Sequence, residues 1–95
     1  MTLIEDARIA LDGYSAFFGT RCRGRIVRDE AELLLTAART LVLDFAGVEA
    51  VTVAFADELA GNLVARYGPR IVLAGMNPDV AETVELALSR RTDLP

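Results

Sequence analysis

The stretch Leu41-Val-Leu-Asp-Phe-Ala-Gly-Val-Glu-Ala-Val-Thr-Val-Ala-Phe-Ala-Asp-Glu-Leu59 holds a strand, a turn and the start of a helix in nineteen residues. Leu41, Val42 and Leu43 form an unbroken apolar run that stops at Asp44, which predicts a central strand covered on both faces, with a polar end where a site can form. After Gly47, residues Val48 to Val53 must carry the chain over the sheet edge, and Thr52 is placed to cap a helix that begins near Ala54. In that helix Phe55, Leu59 and Leu63 recur at spacing four and Val64 and Tyr67 extend the stripe, while Asp57, Glu58, Asn62 and Arg66 lie off it. Asp57 and Glu58 are expected in the first turn, where negative charge suits the helix dipole.

Outward from this unit, strands and helices alternate. A first strand is predicted over Leu3 to Leu11, and Asp12-Gly13 reads as a hairpin turn into a second strand around Tyr14 to Phe18. Thr20 caps a helix running to about Ala38. Its stripe of Val27, Ala31, Leu34, Leu35 and Ala38 continues back to Gly24, where a glycine suits close approach of helix to sheet. Downstream, Gly68-Pro69 stops the middle helix, a strand follows over Arg70 to Ala74, and Gly75 releases the chain from the sheet. Asn77-Pro78-Asp79 combines a cap, a proline at the first helical position and an acid in the first turn. The last helix carries Val80, Val84, Ala87 and Leu88 on one face and ends at Arg90 and Arg91, with Thr92 to Pro95 expected to fray. The pattern predicts one α/β domain over residues 1–95: a mixed sheet of about four strands with three helices, at least two strands being parallel and joined by right-handed crossovers. Sites in such folds gather at the carboxyl ends of the strands, here Asp44-Phe45, the loop Gly47 to Val53 and the helix start beyond it.

These residues resemble the STAS-like family, relatives of the sulphate-transporter and anti-sigma-factor-antagonist domain. The likeness lies in Asp44-Phe45, Gly47-Val48 and Ala54-Phe55-Ala56-Asp57-Glu58, with Gly19-Thr20-Arg21, Gly24 and Arg28 upstream and Met76-Asn77 and Arg90 downstream. It spans roughly Phe18 to Arg91. The family pattern has a serine where this chain has Ala54, and in antagonist domains that serine is phosphorylated by a histidine-kinase-like ATPase. Ala54 has no oxygen to phosphorylate; Thr40 and Thr52 are the hydroxyls left in the region, and Thr52 aligns two positions before the acceptor. The resemblance implies a mixed sheet with helices packed on it, a bacterial regulatory role and a protein partner, a histidine-kinase-like ATPase being the expected one. The docking residues it implies are Thr52, Val53, Ala54, Asp57, Glu58 and Asn62.

Composition narrows the chemistry. The chain has 95 residues, enough for one modest core, and 53% of them are hydrophobic, which argues for a folded chain and against disorder. No apolar run approaches the length of a membrane span, and acids follow the first residues where a signal peptide needs positive charge, so a cytoplasmic location is expected. With a single cysteine and no histidine, neither an internal disulfide, a typical zinc site nor a Ser-His-Asp or Cys-His arrangement can be assembled. Cys22, between Arg21 and Arg23, is expected to be a small, partly buried side chain. Arg21, Arg23, Arg25 and Arg28 make a basic cluster, but the net charge is −4, acids follow at once and no aromatic residue is interleaved for base stacking. Local pairs such as Arg25 to Asp29 and Arg28 to Glu32 are the expectation, not nucleic-acid binding.

The leading expectation is therefore a non-catalytic protein-interaction module without cofactor. The alternative is a small magnesium-dependent enzyme of phosphoryl chemistry using Asp44 and Asp57 or Glu58, although neighbouring helix residues point about 100° apart and converge poorly on one ion. For Asp44 itself, loop hydrogen bonding is the simpler expectation. The high apolar fraction leaves room for a homodimer.

Overall fold

β-strands and helices alternate because the hydrophobic period switches repeatedly between two residues and three to four. A computed structural model describes residues 4–13, 17–18 and 20–92. In chain order the elements are β1 (Ile4–Ala10), a 3-10 turn (Leu11–Gly13), β2 (Phe17–Phe18), a first helix (Arg21–Leu35), β3 (Ala38–Asp44), β4 (Ala50–Val51), a middle helix, a second 3-10 turn (Gly68–Arg70) that takes up the expected strand start at Arg70, β5 (Ile71–Ala74) and a last helix (Pro78–Thr92). The middle helix is α-helical over Val53–Ala56, π-helical over Asp57–Gly61 and α-helical again over Asn62–Tyr67. Of the segment expected to fray, Thr92 is the last residue of the last helix, and residues 93–95 lie outside the described residues.

The sheet has the order β1-β3-β5, and both pairings are parallel. Register places Ala7, Leu41 and Ile71 in one row and Ile9, Leu43 and Leu73 in another, on the face that the helices cover. The opposite face carries Asp6, Arg8 and Ala10 from β1, Thr40, Val42 and Asp44 from β3, and Val72 and Ala74 from β5. Asp6, Arg8, Ala10 and Val72 are exposed there and Val42 is half-buried, so β3 is covered on one face and not on both. The apolar run at Leu41 to Leu43 reflects a central position in the sheet, with the alternate residue Val42 turned to the open side.

The mixed α/β fold with three helices stands, but the expected β1–β2 hairpin does not form. Leu11–Gly13 is a 3-10 turn, and β2 pairs in parallel with β4, Phe17 opposite Ala50 and Phe18 opposite Val51. Tyr14 to Ala16, also assigned to that hairpin, lie outside the described residues. The two short strands immediately precede the first and middle helices and so set the two helix starts side by side.

Each helix begins where its cap predicts. Thr20 Oγ1 accepts from the Arg23 N–H at 3.1 Å, Thr52 Oγ1 from the Phe55 N–H at 3.1 Å, and Asn77 Oδ1 from the Val80 N–H at 2.7 Å. The first helix stops at Leu35, before the expected Ala38, because Ala38 already pairs with Ile4 as the first residue of β3. The core joins Leu41, Leu43 and Phe45 of the sheet side to Val27, Ala31 and Leu35 of the first helix, Phe55, Leu59 and Leu63 of the middle helix, and Val80, Val84 and Ala87 of the last.

Gly24 brings the first helix against the middle helix, and not against the sheet. A Cβ at this position would stand 3.1 Å from both the Glu58 Cβ and the Phe55 carbonyl oxygen. Both contacts belong to a helix buried on most of its circumference, so there is little room to yield. Gly24→Val is expected to lower unfolding free energy by about 2 kcal/mol, read by urea denaturation, through overpacking of this seam.

Candidate functional site

The parallel topology places the start of the middle helix at the carboxyl edge of the sheet, beside the end of β3. At that end the Asp44 carboxylate accepts from the Ala46 N–H at 2.9 Å through Oδ1, and Oδ2 accepts from Arg8 Nη2 at 2.7 Å and Nε at 3.1 Å. Gly75 makes this possible: with φ at +73° it lies so close that a Cβ would be 2.6 Å from Asp44 Oδ1 and 2.7 Å from Ala46 N. The Ala46 hydrogen bond first, and Arg8 after it, hold the Asp44 carboxyl below its ordinary value.

One turn into the middle helix the acids meet the first helix. The Glu58 carboxylate accepts from Arg25 Nε at 3.2 Å, from Arg28 Nη1 at 3.1 Å and, more loosely, from Arg21 Nη1 at 3.5 Å. Arg21 also donates to Asp57 at 3.0 Å, and this bond is the main reason its guanidinium is held more firmly protonated than usual. Because the helix starts at Val53, Asp57 and Glu58 lie beyond its first turn, and arginines neutralise them where the dipole was expected to. Glu58 is turned inward and is the one buried charged residue among the described residues, at 9% exposure. The expected pairs Arg25–Asp29 and Arg28–Glu32 give way to these contacts between helices, with Arg28 reaching Asp29 at 3.6 Å and Glu32 taken by Arg66 at 2.9 Å.

The π-turn is the feature that sequence reasoning missed. Its wider winding sends the Asn62 N–H to Asp57 O and Leu59 O, and the Asn62 side-chain amide donates to Glu58 O at 2.8 Å. Arg70 was missed as well. Its guanidinium donates to the carbonyls of Leu35, Ala38 and Arg39 at 2.8, 2.8 and 2.9 Å and sits 5.4 Å from the Tyr67 ring centroid.

Of the six residues expected to dock a partner, Thr52 is exposed, Val53, Ala54, Asp57 and Asn62 are half-buried, and Glu58 faces the first helix. Thr20 and Arg21 are exposed at the helix start, Gly24 and Phe55 are buried in the seam, and Arg28 is largely covered. Cys22 is exposed, where a partly buried side chain was expected. The carboxylates considered for magnesium do not converge: Asp44 faces Arg8 across the sheet, while Asp57 and Glu58 face the first helix. Among the described residues no group of three or more His, Cys, Asp or Glu side chains could hold a metal, and no helix is long and apolar enough to cross a membrane.

Parallel β-α units with capped helices, the middle one following an Asp-Phe strand end, define a small α/β domain whose site lies at the carboxyl edge of its sheet. The sequence profile described as the STAS-like domain of unknown function, DUF4325, matches residues 23–81, and the chain belongs to that family. No curated protein and no solved structure matches it.

Two measurements check this geometry. Glu58→Gln keeps the shape but leaves three guanidinium groups facing one another, and should lower unfolding free energy by about 2 kcal/mol, whereas Arg25→Gln, on a side chain 60% exposed, should cost less than about 1 kcal/mol. Asp44 has a folded-state pKa below its unfolded one, so its contribution is complete above the unfolded value and is lost as pH falls through the folded value. The melting-temperature advantage of the wild type over Asp44→Asn should therefore shrink as pH is lowered from about 5 to about 2.

Proposed function

We propose that this chain is a non-catalytic regulatory module of the bacterial cytoplasm, resembling an anti-sigma-factor antagonist, that binds a histidine-kinase-like ATPase through the first turns of its middle helix. The observation that carries the reading is the position of Ala54: half-buried but not sealed in the core, in the first turn after the exposed Thr52 cap, between Val53 and Asp57. The surface of Thr52, Val53, Ala54, Asp57 and Asn62 is small-sided and of low charge, because Arg21 matches Asp57. Glu58 acts from behind, fixing the helix that presents this surface.

A phosphate at position 54 would add about −1.5 to −2 charges beside Asp57. With a methyl group there, binding is constitutive, and the domain stays in the state an unphosphorylated antagonist occupies. The test is affinity capture from the native host with the wild type and with Ala54→Asp, followed by incubation of the captured ATPase with ATP and the chain. Wild type should retain a histidine-kinase-like ATPase, Ala54→Asp should retain at least about tenfold less, and the peptide covering residues 51–55 should remain unphosphorylated. Failure to capture such an ATPase, or phosphate on Thr52, would overturn the reading.

A further inference from the structure

β1 lies at the edge of the sheet, and among the described residues no strand pairs with its outer side. Along its length Glu5, Asp6, Arg8 and Ala10 are exposed, and Arg8 keeps 62% of its side chain accessible while bound to Asp44. We propose that this edge pairs antiparallel with the same edge of a second copy of the chain, joining two three-stranded sheets into one of six strands.

Charge selects the register. A two-fold axis normal to the sheet keeps both helix layers on one side, so open-face residues must meet open-face residues across the new seam. If the axis passes Asp6, two aspartates face each other; if it passes Arg8, two arginines do. An axis through Ala7 places Asp6 opposite Arg8 of the second copy and Arg8 opposite its Asp6, two opposite-charge pairs on the open face. On the helix face the same register sets Ala7 against its own copy, where two methyl groups leave room for the strands to close, and the exposed Glu5 beside the buried Ile9 of the other chain. Charges on an edge strand usually deter association. Here two opposite charges, two residues apart on one face, make the edge self-complementary, and Arg8 can bridge Asp44 of its own chain and Asp6 of the other.

Sedimentation of the full chain from about 1 μM to about 1 mM should show a concentration-dependent dimer, and Asp6→Arg or Arg8→Asp alone should weaken it at least about tenfold. Mixing the two variants should restore it, since every cross-strand pair in the mixed dimer is again arginine with aspartate. For a readout that does not rely on charge reversal beside Asp44, Ala7→Cys in a Cys22→Ser background should oxidise to a covalent dimer, because facing Cα atoms lie about 4.5–5.5 Å apart, within disulfide reach. Asp6→Cys in the same background should not. A wild type that stays monomeric throughout, or a dimer untouched by either charge variant and not cross-linked through position 7, would overturn the proposal.

Discussion

A single carboxylate sets the relation between the two crossover helices. Glu58 projects from the π-turn of the middle helix into three arginines of the first, and the absence of a side chain at Gly24 lets the backbones come near enough for those bonds to close. Remove the acid and the arginines repel; add a carbon at Gly24 and the helices part. The seam stands over β3 and leads to the exposed caps at Thr20 and Thr52, so the orientation of the first turn of the middle helix depends on it.

Burying an acid among arginines has a desolvation cost that a hydrophobic seam would not have. It gives directional contacts instead: apolar side chains could slide past one another, whereas a carboxylate bonded to Arg25 and Arg28 fixes both the rotation and the axial position of the helices. The neighbouring Asp57, held by Arg21 at the surface, extends the same lattice toward Ala54. The open face of the sheet is organised by the same means, with Arg8 reaching across to Asp44.

Much of this was legible in the sequence because it is encoded locally. The three caps, the helix stripes and the apolar rows of β3 and β5 depend on residues a few positions apart, and the family likeness rested on the same short segments. What could not be read was non-local. The pairing of β2 with β4 joins residues more than thirty positions apart, while the Asp12-Gly13 signal argued for a near neighbour. Arg25 and Arg28 had acids at helical spacing and chose one on another helix. The π-turn is invisible to a pattern with a fixed period, and Arg70 looked like a strand start because its three carbonyl partners lie more than thirty residues upstream. Within the candidate site, the Thr52 cap was legible from its residue type and Ala54 from the family resemblance, whereas the inward turn of Glu58 needed the neighbouring helix.

Arg70 and Asn77 bind the structure at opposite margins of the sheet. Arg70 ties the entry of β5 to the end of the first helix and the start of β3; Asn77 Nδ2 ties its exit to the carbonyls of Val48 and Glu49, at 3.3 and 3.2 Å, on the loop leading into the middle helix. Shear between the helical layer and the strands is resisted at both margins. A middle helix held at both margins has a preorganised backbone that would lose little conformational entropy on association, leaving the fit of side chains to govern affinity.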